Sequence, residues 1–250
     1  MWNNSVKKGY INPLYKKDPL TYTSKGKIRI RISNPFNYPK TSSKSEDENI
    51  PEKIQYILIG SLLGDCSGEM QKNGKYPTFA FKQSIKHMDY LFYIYFIFLH
   101  WGYAHSFTVP KIKNTKDSRG NKHDYLRFGT ITTPNLFKIY KMFYKYENNK
   151  RIKIVTKDIG LYMTPRALAF WIMDDGSKGF SGILLHTNSY TYEEVLLLIN
   201  TLKNKFNIES KPRKKYNKFI IYIYAKSVPL VVKKVKSHMH PKFYYKLGIS

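Results

Sequence analysis

A chain of 250 residues with a single cysteine, Cys66, has no internal disulfide framework and offers no cysteine-based zinc site. Acidic residues are sparse as well: 17 Asp and Glu stand against 43 Lys and Arg, a formal net charge of +26. The natural partner of such a chain is a polyanion, because Lys and Arg contact phosphates with release of counterions. A solvated basic surface or a membrane surface would account for the charge too. The basic residues, however, recur along the whole chain and not on one amphipathic helix, which favours nucleic acid. Long apolar runs are missing. The best of them, Leu91 to Leu99 (LFYIYFIFL), falls short of the ~20 residues that span a bilayer and reads as a buried helix. The first residues carry lysine but neither a secretory apolar core nor the Arg/Ser bias of a transit peptide.

What is present suits a folded protein: 42% hydrophobic and 24% charged residues, in a length that allows one large domain or two small fused ones. The 22 tyrosines, with abundant Ile, Asn and Lys, are residues of A+T-rich codons, which points to an A+T-rich genome such as a mitochondrial one. Residues 1–48 carry Pro, Ser, Lys and Asn clusters with little apolar periodicity, and Thr41 to Asn49 (TSSKSEDEN) resembles a linker. This segment is expected to be poorly structured or a fusion remnant. Regular structure is expected from Pro51, a first-turn proline.

From there the pattern repeats. The first half, residues 49–147, predicts a helix at about 51–66, strands at 67–84, a helix at 87–101, strands at 103–131 and a helix at 134–146. The second half, residues 148–250, predicts a helix at about 165–176, strands at 178–188, a helix at 191–206, strands at 207–225 and a helix at 227–238. The order is αββαββα twice, an α+β fold with pseudo-twofold symmetry. Tyr192 to Ile199 opens acidic and continues apolar, as a helix does. Phe219 to Tyr224 is aromatic and β-branched, as a strand is, and its alternation puts Tyr222 and Tyr224 on one face with Ile220. Lys211 to Lys218 (KPRKKYNK) reads as a hairpin tip, DNA-facing or simply solvated.

Two helix ends carry the chemistry. The first reads Leu58 to Cys66 (LIGSLLGDC), with Gly60 and Gly64 four apart on one face, a spacing that lets two helix backbones approach closely. The second reads Leu168 to Gly176 (LAFWIMDDG), begun by Thr164 and Pro165 and ended by Gly176 as a left-handed stop. Asp65 and Asp175 occupy the same point of each half. A carboxylate at a helix C-terminus opposes the helix dipole, and a bound cation would offset it. Taken singly, Gly-Asp-Cys and Asp-Asp-Gly are ordinary turns. As a duplicated pair in a +26 chain they form a hard-oxygen site suited to Mg²⁺ and to phosphodiester hydrolysis.

These segments resemble the LAGLIDADG homing endonuclease family, single-chain and two-motif branch, over nearly all of residues 51–250. Phe81-Lys82-Gln83-Ser84, Lys86 to Leu91, Thr164-Pro165 and Tyr244-Tyr245-Lys246-Leu247 share the likeness. The first motif departs at Ser61, Leu63 and Cys66, the second at Phe170. The resemblance implies two packed motif helices, two DNA-binding antiparallel sheets, and two or more Mg²⁺ ions at Asp65 and Asp175, each aspartate serving one DNA strand. It implies that backbone carbonyls of Gly64 and Asp174 add ligands. Lys246 and Arg151 would then flank the scissile phosphates, with Gln83 and Asn188 ordering water. Read without the family, Lys246 and Arg151 are surface cations, and Gln83 and Asn188 turn or cap residues.

A two-stranded ribbon fits the major groove. The expected contacts are Lys82, Lys111, Lys113, Arg119, Lys122, Arg127, Lys211, Arg213, Lys214, Lys215, Lys218 and Tyr222, with Lys72, Lys75, Lys116, His123 and Tyr224 beside them. His238 and His240 read as surface or DNA-facing groups, without the neighbours a zinc site needs. The implied activity is a Mg²⁺-dependent double-strand cut in an intronless allele by a monomer, with double-stranded DNA as partner. An RNA maturase that assists its host intron shares the fold and remains the alternative. The two intact aspartates favour cleavage.

Overall fold

The computed structural model of the chain describes residues 20–22, 28–30, 44–70, 75–105, 109–116 and 120–249. Two compact units emerge, one of residues 1–42 and 81–131, the other of residues 43–80 and 132–250. In chain order the elements are β1 (Leu20–Tyr22), β2 (Ile28–Ile30), α1 (Glu52–Leu63), β3 (Ser67–Met70), β4 (Pro77–Ser84), α2 (Met88–His100), β5 (Lys111–Lys116) and β6 (Lys122–Gly129). There follow α3 (Phe137–Phe143), β7 (Tyr144–Glu147), β8 (Lys150–Lys153), α4 (Ile159–Tyr162), α5 (Pro165–Asp175), β9 (Gly176–Lys178), β10 (Ile183–Leu185), α6 (Tyr192–Phe206), β11 (Ser210–Lys215), β12 (Lys218–Ile223) and α7 (Val228–Val235). Two four-stranded sheets, ordered β3-β4-β6-β5 and β11-β12-β10-β9, are built from antiparallel hairpins. The α+β class and the twofold αββαββα order expected from the sequence are present. Within residues 1–48, β1 pairs antiparallel with β2.

Local chemistry explains the boundaries. Thr164 caps α5 by accepting from the Ala167 amide at 3.2 Å, with Pro165 in the first turn. Thr191 and Glu194 form a reciprocal capping box on α6, and Glu194 also accepts from the Val155 amide at 2.8 Å. Asn207 ends α6 in the left-handed region, at φ 56°. Pro51 sits one residue earlier than expected, as the N-cap of α1.

In the smaller unit the apolar face of α2 covers the sheet. Phe81 stacks on Phe128 at 4.9 Å between centroids, and Phe98 meets Phe81 edge-on at 5.1 Å. Leu91 to Leu99 is thus a core helix, and no described helix is long and apolar enough to cross a membrane. In the larger unit α1 packs along α5, and the two helices bury Ile57, Leu58, Ile59, Leu62 and Leu63, and Leu168, Trp171 and Ile172. Each such side chain contributes roughly 1.5–3 kcal/mol of hydrophobic stabilisation.

Two expectations need correction here. The helix expected to run to residue 146 stops at Phe143, and a hairpin, β7–β8, follows. Asn148 and Asn149, at φ 50° and 58°, link Glu147 to Lys150 as a two-residue turn of the primed type, which fits the twist of paired strands. Gly176 is not left-handed: φ is −80° and the chain leaves α5 extended, into β9. A side chain there would meet the Ile172 carbonyl at 2.5 Å, so close approach and not a turn demands glycine.

Candidate active site

The two aspartates leave the C-terminal ends of α1 and α5, whose approach depends on glycine in one helix only. A Cβ on Gly60 would collide with the Ala167 carbonyl and lie 2.7 Å from the Phe170 Cβ; one on Gly64 would lie 2.5 Å from the Asp174 Cβ. The glycines of α1 therefore receive the side chains of α5. Phe170, a departure from a small-residue interface, is accommodated by Gly60 opposite it.

Each helix end also holds a lysine. Lys153, on β8, points its ammonium at the carbonyls of Gly64 (3.3 Å) and Cys66 (3.4 Å). Lys246, in the C-terminal 3₁₀ segment Pro241–Leu247, donates to the carbonyls of Met173 and Asp174, the latter at 3.1 Å. An ammonium at the negative end of a helix dipole is favourable, so lysine supplies part of the positive charge expected beside the carboxylates. Burial lowers both lysine pKa values, and the charges of Asp65, Asp174 and Asp175 raise them in part. Burial and then the Asp65 charge push Asp175 up to about 6, against the pull of Lys153 and Lys246. Burial likewise raises the Cys66 thiol, so it is not a ready thiolate.

Arg151, expected from the resemblance beside a scissile phosphate, contacts Gly68 and Tyr144. It lies on β8 two residues before Lys153, donates to the Gly68 carbonyl, and stacks over Tyr144 with 5.1 Å from its carbon to the ring centroid. Tyr144 accepts from the Gly68 amide at 2.8 Å, so both polar groups of Gly68 are gripped by the β7–β8 hairpin. Burial raises the Tyr144 phenol to about 12. Arg151 anchors the hairpin, and Lys153 is the ammonium brought to the Asp65 helix end. Tyr190 is buried as well. Its hydroxyl donates to the carbonyls of Leu62 and Leu63, capping α1 next to Gly64.

Gln83 lies on β4, half-buried, in the smaller unit. Asn188 is exposed in the turn after β10. On the sheet of β9 to β12, paired residues point to the same side and alternate along a strand, which sets one face by Leu184. Ser177, Tyr222, Lys211, Arg213, Lys215, Lys218 and Ile220 share this face, while Lys214 pairs with Phe219 on the opposite one. The expected grouping of Tyr222 and Tyr224 holds: their rings meet edge-on at 5.7 Å, and the Lys211 ammonium lies 5.6 Å from the Tyr224 centroid. His186 is half-buried, with Nε2 3.0 Å from the Ser177 hydroxyl; burial first, then the charges of Lys215 and Lys246, lower its pKa.

In the smaller unit Lys111, Lys113, Arg127, Tyr125 and His123 share the outer face of β5–β6, and the Lys82 ammonium sits 4.1 Å over the Tyr125 ring. Lys122 and Lys116 pair on the opposite face, the side of buried Leu126. Lys75 is exposed before β4, whereas Arg119 and Lys72 lie outside the described residues. His240 is buried, not a surface group; its amide reaches the Met173 sulfur at 3.1 Å.

The donor set fits a hard divalent ion. Asp65 and Asp175 offer carboxylate oxygens, and the Gly64 and Asp174 carbonyls, each already accepting from lysine, keep a second lone pair. Among the described residues no cluster of three or more His, Cys, Asp or Glu side chains could hold a metal. Mg²⁺ suits a site of two carboxylates, completed by waters and substrate phosphates.

Comparison with known proteins gives this arrangement a family. A family model described as the LAGLIDADG DNA endonuclease family matches residues 55–231. Cytochrome b mRNA maturase bI2 of Saccharomyces cerevisiae is 34% identical over 237 residues, 92% of this chain and 54% of the yeast protein, so the chain spans about half of that relative. Probable intron-encoded endonuclease 1 of Wickerhamomyces canadensis is 32% identical over 254 residues, covering 97% of this chain and 98% of its own. Among solved structures, the homing endonuclease I-WcaI bound to its DNA recognition sequence superposes with a TM-score of 0.71 at 32% identity, over 80% of this chain and 88% of that one. With duplicated aspartate-ended helices, the αββαββα repeat and these matches in agreement, the chain belongs to the LAGLIDADG DNA endonuclease family.

Proposed function

We propose that the chain is a site-specific homing endonuclease, cutting both strands of a DNA duplex in an intronless allele as a Mg²⁺-dependent monomer, and that it works in the mitochondrion. The observation that carries the reading is the pair of aspartates delivered by packed helices to one place, each helix end bearing its own partly buried lysine. Residues 49–147 and 148–250 act as the two half-sites in this reading, one for each strand.

Asp65 and Asp175, with the carbonyls of Gly64 and Asp174, hold Mg²⁺, which when bound neutralises the phosphate and activates water. Lys153 and Lys246 each stabilise negative charge developing on one scissile phosphate, where low local dielectric strengthens the effect. Asn188 hydrogen-bonds water on the Asp175 side. The outer sheet faces, through Lys82, Lys111, Lys113, Arg127, Lys211, Arg213, Lys215, Lys218 and Tyr222, grip the phosphate backbone and read base edges.

A second reading, an RNA maturase for the host intron, is favoured by the 34% identity to the yeast cytochrome b mRNA maturase. One experiment separates them. Purified protein is incubated with a partly randomised duplex pool and with the uninterrupted cytochrome b coding sequence, in Mg²⁺ and in EDTA, and separately with intron-bearing precursor RNA. A discrete Mg²⁺-dependent cut supports the endonuclease; splicing enhancement with no cut in any divalent metal supports the maturase alone.

A further inference from the structure

Beside Asp175 lies a side-chain pair that the roles above leave unused. The β9–β10 register, Gly176 with Leu185, continues to Asp175 and His186, and the His186 amide donates to the Asp175 carbonyl at 3.0 Å. His186 also feels the charge of Lys246, whose ammonium donates to the Asp174 carbonyl, so the ring lies toward that helix end. Ser177, two residues after Asp175, places its hydroxyl 3.0 Å from Nε2. The serine thus fixes the ring's orientation with one nitrogen. Among the described residues the other nitrogen, Nδ1, has no hydrogen-bond partner. A neutral imidazole engaged through one nitrogen still offers the second as donor or acceptor.

We propose that His186, oriented by Ser177, is a further catalytic residue of the Asp175 half-site, its Nδ1 hydrogen-bonding the water that attacks the phosphodiester. In that step the water oxygen forms the new P–O bond and one P–O ester bond breaks. The water's proton passes to solvent, and the departing oxygen takes a proton from solvent. Holding the water in line removes orientational freedom before attack, a contribution of the kind that positioning makes to rate.

The pair belongs to the second half alone. Ser67 pairs with Ala80 as Ser177 pairs with Leu184. Counting two residues on gives Lys82 in the first half, where the second has His186. The serine is duplicated and the histidine is not, so the effect falls on one DNA strand.

This inference rests on the endonuclease reading, and the test distinguishes the two. Single-turnover nicking of each strand is followed on a duplex recovered by cleavage from the partly randomised pool. Binding to the same duplex is measured in Ca²⁺, and folding by thermal melt. Lys246→Met identifies the strand served by the Asp175 side. His186→Ala should slow that strand at least tenfold and leave the other within twofold, with Kd within twofold. His186→Gln, which keeps a hydrogen-bonding group, should recover part of the loss, and Ser177→Ala should slow the same strand by a smaller factor. Equal slowing of both strands, unchanged rates, or a rate loss matched by lost affinity would each overturn the proposal. Gln behaving no better than Ala would overturn it too. A wild-type protein that cuts neither strand overturns the endonuclease reading, and His186 then has no reaction to serve.

Discussion

Replacing Asp175 with asparagine should stabilise the metal-free protein. Burial and the neighbouring Asp65 charge raise the Asp175 pKa from 3.8 to about 6, even with Lys153 and Lys246 pulling the other way. A rise of about two units corresponds to roughly 3 kcal/mol against the ionised form in the fold. The sign follows from proton linkage. Between pH 4 and 6 the folded chain binds more protons here than the unfolded one, so wild-type stability falls as pH rises through that window and is level above it. The asparagine side chain stays neutral and skips the loss. In EDTA at pH 7.5 the variant should therefore be more stable by about 2–3 kcal/mol, or ~4–10 °C in Tm for a chain of this size. At pH 4 the difference should nearly vanish. Melts of both proteins across pH 4–8 test this. A variant no more stable than wild type at pH 7.5, or a gap that does not change with pH, would show that Asp175 is not held in a buried site beside the Asp65 charge.

The remaining expectations concern lysines, arginines and one glycine. Lys153→Met and Lys246→Met should each slow one strand, and different strands, by about 100-fold or more, read as accumulating nicked product; Arg151→Ala, which loosens only the hairpin anchor, should cost less than tenfold. Gly60→Ala should destabilise the fold by about 1–3 kcal/mol or more in urea melts, because the added methyl meets the Ala167 backbone. A loss under ~0.5 kcal/mol would mean that α1 and α5 do not pack this closely. Arg213→Ala, on the face of Ser177 and Tyr222, should reduce the salt slope of DNA binding by about 0.9, while Lys214→Ala, on the opposite face, should leave it nearly unchanged.

Much of this was legible in the chain because the signals are local. Thr164-Pro165 starts a helix wherever it occurs with an apolar run behind it, and Gly60 and Gly64 announce a close helix neighbour. Aspartate at two equivalent helix ends was visible from the repeat itself. The β7–β8 hairpin was hidden because Tyr144 to Lys153 alternates weakly, and its turn, Asn148-Asn149, lacks the usual glycine. With the hairpin went Lys153: Arg151 and Lys153 point the same way along one strand, and only the docking on Gly68 decides which of them reaches the helix end. Gly176 misled because a glycine after a helix usually marks a left-handed stop, whereas here the constraint is the Ile172 carbonyl. Tyr190 and His186 carry no sequence signal, since each acquires its partners only when the chain folds: Tyr190 from the far end of α1, His186 across a strand pair.

The most direct test of the central claim is cleavage by wild type, Asp65→Asn and Asp175→Asn on the duplex that the wild-type protein cuts, with binding measured in parallel. The account predicts one discrete Mg²⁺-dependent double-strand cut by wild type, none by either variant, and DNA affinity kept in both. Cutting that survives the loss of either carboxylate would contradict it.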